Sequence, residues 1–182
     1  YQQGANKHFE REAKKVWKYF EKCLKDDIKP FKYRHRALAW SCGSTYYDNS
    51  TNWLYQCWGI MTVINMDSLT GHNIVDTENR DEMMSDLADL HARTPMRTHT
   101  VGGNRHILMM FETAAKFNCD MIVMYDDIGC KGMAGCQGLL EEEFRKHPEF
   151  HIMWMPHALM DCRTVPTAEA RKVVNDYMTT VL

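Results

Sequence analysis

One thiol stands among glycines at the end of an apolar run, in Met121-Ile122-Val123-Met124-Tyr125-Asp126-Asp127-Ile128-Gly129-Cys130-Lys131-Gly132. Such a run, rich in branched residues and bounded by turn formers, predicts a strand buried on both faces of a parallel sheet. Ligands of open α/β sheets gather just beyond the carboxyl ends of these strands, which is where Cys130 falls. Gly129, Gly132 and Gly135 remove side chains around the sulfur, so the backbone can turn tightly and a bulky group can come close. An iron–sulfur cluster is a group of that kind, and thiolate is its usual ligand. Cys136, near the start of the helix that follows, is a possible second thiol, since a helix N-terminus favours thiolate. Core packing is the competing reading for both sulfurs.

Other residues have the types for chemistry but weaker spacing. Ser41-Cys42-Gly43-Ser44 offers hydroxyls and backbone N–H groups beyond another apolar run, suited to binding a carbonyl oxygen, or else to a turn that caps the next helix. Gly102-Gly103-Asn104-Arg105 resembles an anion-binding helix start, without a Walker or dinucleotide fingerprint to support it. Asp126 and Asp127 include a base or simply hydrate the strand end. Among nine histidines, His147 and His151 are split by Pro148 and cannot share one helical face, and His99 and His106 straddle the Gly-Gly turn. His157, beyond the last apolar strand, is the best placed for acid–base work.

These residues need a frame, and the hydrophobic pattern predicts it. Residues 6–27 space Phe9, Ala13, Val16, Phe20, Cys23 and Leu24 as one helical stripe, which is expected to dock, with Pro30 ending the helix. Strands are expected at 35–41, 60–66, 121–125 and 151–155. Helices are expected up to Trp58 (capped by Asp48, Asn49 or Ser50), over Met83, Met84, Leu87 and Leu90 after Asp76-Thr77-Glu78, after the Gly-Gly turn over Ile107, Leu108, Phe111 and Ala115, over Leu139, Leu140 and Phe144, and over 167–181 with Ala170, Val173, Val174, Tyr177 and Val181 inward. Short apolar strands alternating with helices indicate an α/β, flavodoxin-like three-layer αβα domain with a mainly parallel sheet, preceded by a long N-terminal helix. The loops at 41–47, 66–73, 126–136 and 156–164 then share one rim, which carries Cys42, Cys130 and Cys162.

Composition narrows the class. The 182 residues are 45% hydrophobic with fourteen Met and five Trp, the content of a packed domain. Met83-Met84 and Met109-Met110 are core fillers, with at least one of each pair expected to face the sheet, while Met153 and Met155 are expected to line a pocket. A net charge of −2 gives no electrostatic footprint for nucleic acid or an anionic membrane, so neither partner is expected. No apolar stretch has bilayer-spanning length, and a cytoplasmic location is expected. Seven cysteines without a Cys-x-x-Cys pair argue against a disulfide framework, and Cys23, Cys57 and Cys119 read as small buried hydrophobes.

Cys119-Asp120-Met121-Ile122-Val123, Gly129-Cys130-Lys131, Gly135 and Leu139-Leu140 together resemble the carboxy-terminal domain of the 2-hydroxyacyl-CoA dehydratase and benzoyl-CoA reductase family. The likeness continues through the Asp-x-Arg pattern of Asp161-Cys162-Arg163 and Asn175-Asp176-Tyr177-Met178, and upstream through Leu87-Ala88-Asp89-Leu90 and Thr94-Pro95-Met96. It spans most of residues 33–182, through the order of elements more than through one signature.

That resemblance implies a 4Fe-4S cluster held between two flavodoxin-like domains, with Cys130 at the position of the carboxy-terminal ligand. It further implies residues 1–32 as a helical linker from an upstream domain and 33–182 as the carboxy-terminal domain. Ser41, Cys42, Gly43, Ser44 and Lys131 become substrate-binding candidates, Lys131 by offsetting cluster charge or meeting a CoA phosphate. The implied partners are a homologous subunit, an ATP-dependent iron–sulfur activator and a CoA thioester. The implied reaction is oxygen-sensitive: one electron makes a ketyl radical anion, the 2-hydroxyl leaves, a β-proton is lost and the electron returns, giving an enoyl-CoA. Reduction of an arenoyl-CoA is the near alternative. A non-enzymatic iron–sulfur electron-transfer domain and a flavin-binding flavodoxin using Ser41, Ser44 and Thr45 are the readings from other classes.

Overall fold

A computed structural model describes residues 7–28, 32–41, 49–69, 75–93, 104–159 and 161–182. Cys42, Gly43, Ser44, Thr45, Asp48, Pro30, Thr94-Pro95, His99 and the Gly102-Gly103 pair lie outside the described residues. The chain divides into two compact units, 1–32 and 33–182.

The first unit holds α1 (Lys7–Lys25), which ends in a turn where Asp27 takes a φ of 48°, ahead of Pro30. Its apolar stripe carries Val16, Phe20 and Leu24 on the helix surface. Ion pairs such as Lys15 Nζ with Glu12 Oε1 at 2.9 Å serve the polar side.

The second unit is a mixed α/β domain with four parallel strands, β1 (His35–Trp40), β2 (Ile60–Asn65), β3 (Met121–Asp127) and β4 (His151–His157), in the order β2-β1-β3-β4. The helices are α2 (Ser50–Trp58), α3 (Arg80–Ala92), α4 (Asn104–Lys116), α5 (Lys131–Phe144) and α6 (Thr167–Thr180). Alternation along the strands builds two cores, as the two-residue period requires. On one face Ala37, Ala39, Val123 and Met153 pack with Leu54 of α2 and with Ala170, Val174 and Met178 of α6. On the other, Leu38, Trp40, Ile122 and Met124 pack with Ile107, Met110 and Phe111 of α4 and with Met133 and Leu140 of α5. This is the flavodoxin-like three-layer arrangement.

Several element details differ from expectation, each for a physical reason. Strands β3 and β4 run on to Asp127 and His157, because the polar pairs Asp126–Pro156 and Asp127–His157 stay in parallel register. Pro156 is tolerated because, among the described strands, β4 pairs with β3 alone and the missing N–H faces away from it. Strand β2 stops at Asn65, whose Oδ1 accepts the Ser68 N–H at 2.8 Å and opens a short 3-10 turn over Met66–Ser68. Asn49 occupies the cap position of α2 without a side-chain cap bond, and the helix is closed at its other end by Gly59 at φ 67°, a left-handed turn that suits glycine. Asp76-Thr77-Glu78 leads into α3 as expected, and Asn79 caps it by accepting the N–H groups of Asp81 and Glu82.

Ile107 and Phe111 of α4, Leu140 of α5, and Ala170 and Val174 of α6 face inward as expected. Leu108, Ala115, Leu139 and Val173, with Val181 just past α6, are exposed instead, and Met110 and Met178 join the core. Met84 is exposed and Met83 half-buried, and Met153 and Met155 are core residues under α6. Cys57 is exposed and Cys23 half-buried, so of the three cysteines expected inside only Cys119 is. No helix among the described residues is long and apolar enough to cross a membrane.

Candidate functional site

Four parallel strands put four carboxyl ends on one edge. Strand β1 leaves through α2 on one face and β3 leaves through α5 on the other, so their exits diverge and open the crevice where such sheets take ligands. Ser41 stands on the β1 side of that crevice. It is only 4% exposed and has a φ of 79°, a conformation that a residue with a Cβ adopts at a cost of roughly 1–2 kcal/mol. Non-glycine residues held this way cluster at functional sites.

The β3 side carries the cysteine loop. The Asp127 carbonyl accepts the Cys130 N–H at 2.8 Å, its Oδ1 accepts the Gly129 N–H at 3.1 Å, and the His157 carbonyl accepts the Ile128 N–H at 3.1 Å. These bonds fix a tight turn that delivers Cys130 to the cap position of α5, with an extended backbone and no side-chain cap bond. The half-buried sulfur therefore sits at a helix N-terminus, where negative charge is favoured, without a structural task in capping. A Cβ at Gly135 would meet nothing within 4 Å, and one at Gly129 would touch only the Asp127 carboxylate, at 3.4 Å. Both glycines are exposed, so the chain on either side of Cys130 is uncrowded by side chains at these two positions.

Cys136 is half-buried one turn along α5, and its Sγ–H donates to the Gly132 carbonyl. Burial and the nearby Cys130 push its thiol upward from the usual range. Lys131 is exposed on the first turn of α5. Burial, reinforced by the Asp127 charge, raises the Asp126 carboxyl above the usual carboxylate range. Asp161 forms a two-bond pair with Arg163, at 2.8 and 2.7 Å, beyond β4.

His157 ends β4, 4% exposed, with Nε2 lacking a hydrogen-bond partner among the described residues. Burial lowers its pKa, with Asp127 acting in the opposite sense, so the ring is neutral near pH 7. His106 is not a cleft residue: it lies buried on α4 and its Nε2 accepts the Trp40 indole N–H at 2.9 Å. His147 stacks on Phe111 at 3.8 Å and contacts Glu149, a packing role. A groove of about 200 Å³ between α4 and α5, lined by Leu108, Leu139 and Lys146, lies on the outer helical layer and not at the strand ends.

Sequence reasoning missed the Ser41 backbone conformation and the Trp40–His106 bond; neither has a local signal, the second joining residues on β1 and α4. The thiols can be told apart in solution. Iodoacetamide at about pH 8 is expected to modify the exposed Cys57 and Cys162 first and to spare Cys119, which is buried with its thiol pushed up to about 11. Peptide mass mapping checks this, and early modification of Cys119 would contradict the packing under β3.

No curated protein and no solved structure matches the chain. The family model described as 2-hydroxyglutaryl-CoA dehydratase, D-component, matches residues 5–160, from α1 through the end of β4. With most of its length matched, including the crevice and the Cys130 loop, the chain belongs to the 2-hydroxyglutaryl-CoA dehydratase D-component family.

Proposed function

We propose that the chain serves as a subunit of an iron–sulfur 2-hydroxyacyl-CoA dehydratase, with Cys130 as a ligand of a 4Fe-4S cluster. The observation that carries this is a family match running through the strand exit where the half-buried Cys130 stands at a helix N-terminus with no capping bond of its own. Bound there, the cluster would supply the low-potential electron chemistry that lets a 2-hydroxyacyl thioester expel its hydroxyl group. Among the described residues no group of three His, Cys, Asp or Glu side chains is placed to hold a metal, so residues beyond these have to complete the ligand set.

The chain's own residues bind and orient. Ser41 presents a constrained position at the end of β1, across the crevice from the Cys130 turn, for hydrogen bonding to a thioester oxygen. Lys131, exposed at the mouth of the crevice, attracts the phosphates of a CoA moiety. The apolar rows beneath, Trp40 and Met124 among them, keep water from the crevice floor. A homologous subunit and an ATP-hydrolysing iron–sulfur activator complete the proposed system.

The test is preparation without oxygen of the assembly that contains this chain, followed by iron and sulfide analysis and a dehydration assay with ATP, activator and a 2-hydroxyacyl-CoA. Bound iron and enoyl-CoA formation are expected. An assembly that holds no iron, or holds it and forms no enoyl-CoA, overturns the proposal.

A further inference from the structure

A buried imidazole whose Nε2 has no hydrogen-bond partner among the described residues stands at the carboxyl end of β4. Leaving such an atom without a partner is costly, and a purely structural position would avoid that cost with an apolar residue. Its surroundings are specific. Strand β3 faces it with Asp127, its partner in register, and with the Tyr125 ring at 5.5 Å in an edge-on arrangement. On the same face α6 contributes Ala170, Val174 and Met178, with the half-buried Tyr177 packed against them, and the charge that acts on the ring is that of Asp127. The His157 carbonyl accepts the Ile128 N–H, so the backbone of His157 helps hold the turn that leads to Cys130.

Resting on the function proposed above, we infer that His157 Nε2 accepts the proton lost from the β-carbon of the acyl group during dehydration. The β C–H bond breaks, its electron pair stays on the acyl fragment as the carbon–carbon double bond forms, and the proton passes to Nε2. The imidazolium, stabilised by the Asp127 carboxylate, then gives that proton to the departing hydroxide. Water leaves, the ring is neutral again, and no oxidant or reductant is consumed in the transfer. A neutral imidazole in an apolar setting is a competent base for this step.

The experiment compares the parent assembly with His157→Gln, prepared without oxygen, for iron content, kcat, KM and the isotope effect with acyl-CoA deuterated at the β-carbon. The expected result is a kcat lower by about 100-fold or more, a KM within about 3-fold, unchanged iron and a larger β-deuterium isotope effect. A structural role would not enlarge that isotope effect. Full turnover by His157→Gln, or loss of its iron together with turnover, overturns this inference alone. Absence of iron or turnover in the parent overturns the dehydratase reading and this inference with it. Should His157→Gln fail to fold, Asp127→Asn decides: it keeps an Oδ1 acceptor for Gly129 N–H and removes the charge facing the ring. About a 10-fold loss of kcat with iron retained is then expected, and an unchanged kcat overturns the assignment.

Discussion

Replacing Cys130 with serine is expected to strip iron from the assembled protein while leaving its fold at least as stable as before. The two effects have opposite signs because the residue holds a helix-cap position that its own side chain does not use. A serine hydroxyl there can accept an N–H of the first turn of α5, a contribution of about 0.5–1 kcal/mol to stability. The backbone bonds of the turn, Cys130 N–H to the Asp127 carbonyl at 2.8 Å and Ala134 N–H to the Cys130 carbonyl at 3.1 Å, do not involve the sulfur and survive. Loss of a thiolate ligand, by contrast, should weaken metal binding by more than the factor of about 10–100 seen for changes one shell further out. Iron analysis and a denaturation curve on the same preparation test both halves. Full iron in Cys130→Ser would remove the sulfur from the site, and a large drop in stability would make it a packing residue.

Much of this frame is legible in the residues themselves. The run Met121–Tyr125 is apolar throughout because β3 is covered on both faces, and that pattern already places Cys130 at a strand exit. The phase of the helices is less legible. Adjacent apolar pairs such as Leu139-Leu140 and Val173-Val174 satisfy either rotation of the helix, and only the packing of Leu140 and Val174 into opposite cores selects one. Exact strand ends are hidden for a related reason: Asp127 and His157 look like loop residues, yet each pairs with the other at the sheet's rim. Of the site, the thiol and its glycines could be read locally, as could the histidine at the end of β4. The left-handed Ser41 could not, because serine has no sequence preference that announces that conformation.

The second large effect concerns the floor of the crevice. Trp40 is fully buried as the last residue of β1, immediately before Ser41, and its indole N–H is the donor to His106 on the first turn of α4. An indole nitrogen only donates, so His106 Nε2 accepts and the ring carries its proton on Nδ1. Trp40→Phe keeps an aromatic ring but removes the donor, leaving a buried acceptor unmet at roughly 1–3 kcal/mol, with lost volume adding to it. The expected loss is about 2–4 kcal/mol, read from denaturant midpoints, and Trp40→Ala is expected to lose about 3–5 kcal/mol. A cycle with His106→Leu separates the bond from the volume: other contacts of His106 are lost in both arms and cancel, so the coupling, about 1–2 kcal/mol, belongs to the indole–imidazole pair. Because this pair ties the start of α4 to the exit of β1, Trp40→Phe should also raise KM for a CoA thioester as the Ser41 side of the crevice loosens. A Trp40→Phe protein within about 1 kcal/mol of the parent would show that the crevice floor does not depend on this bond.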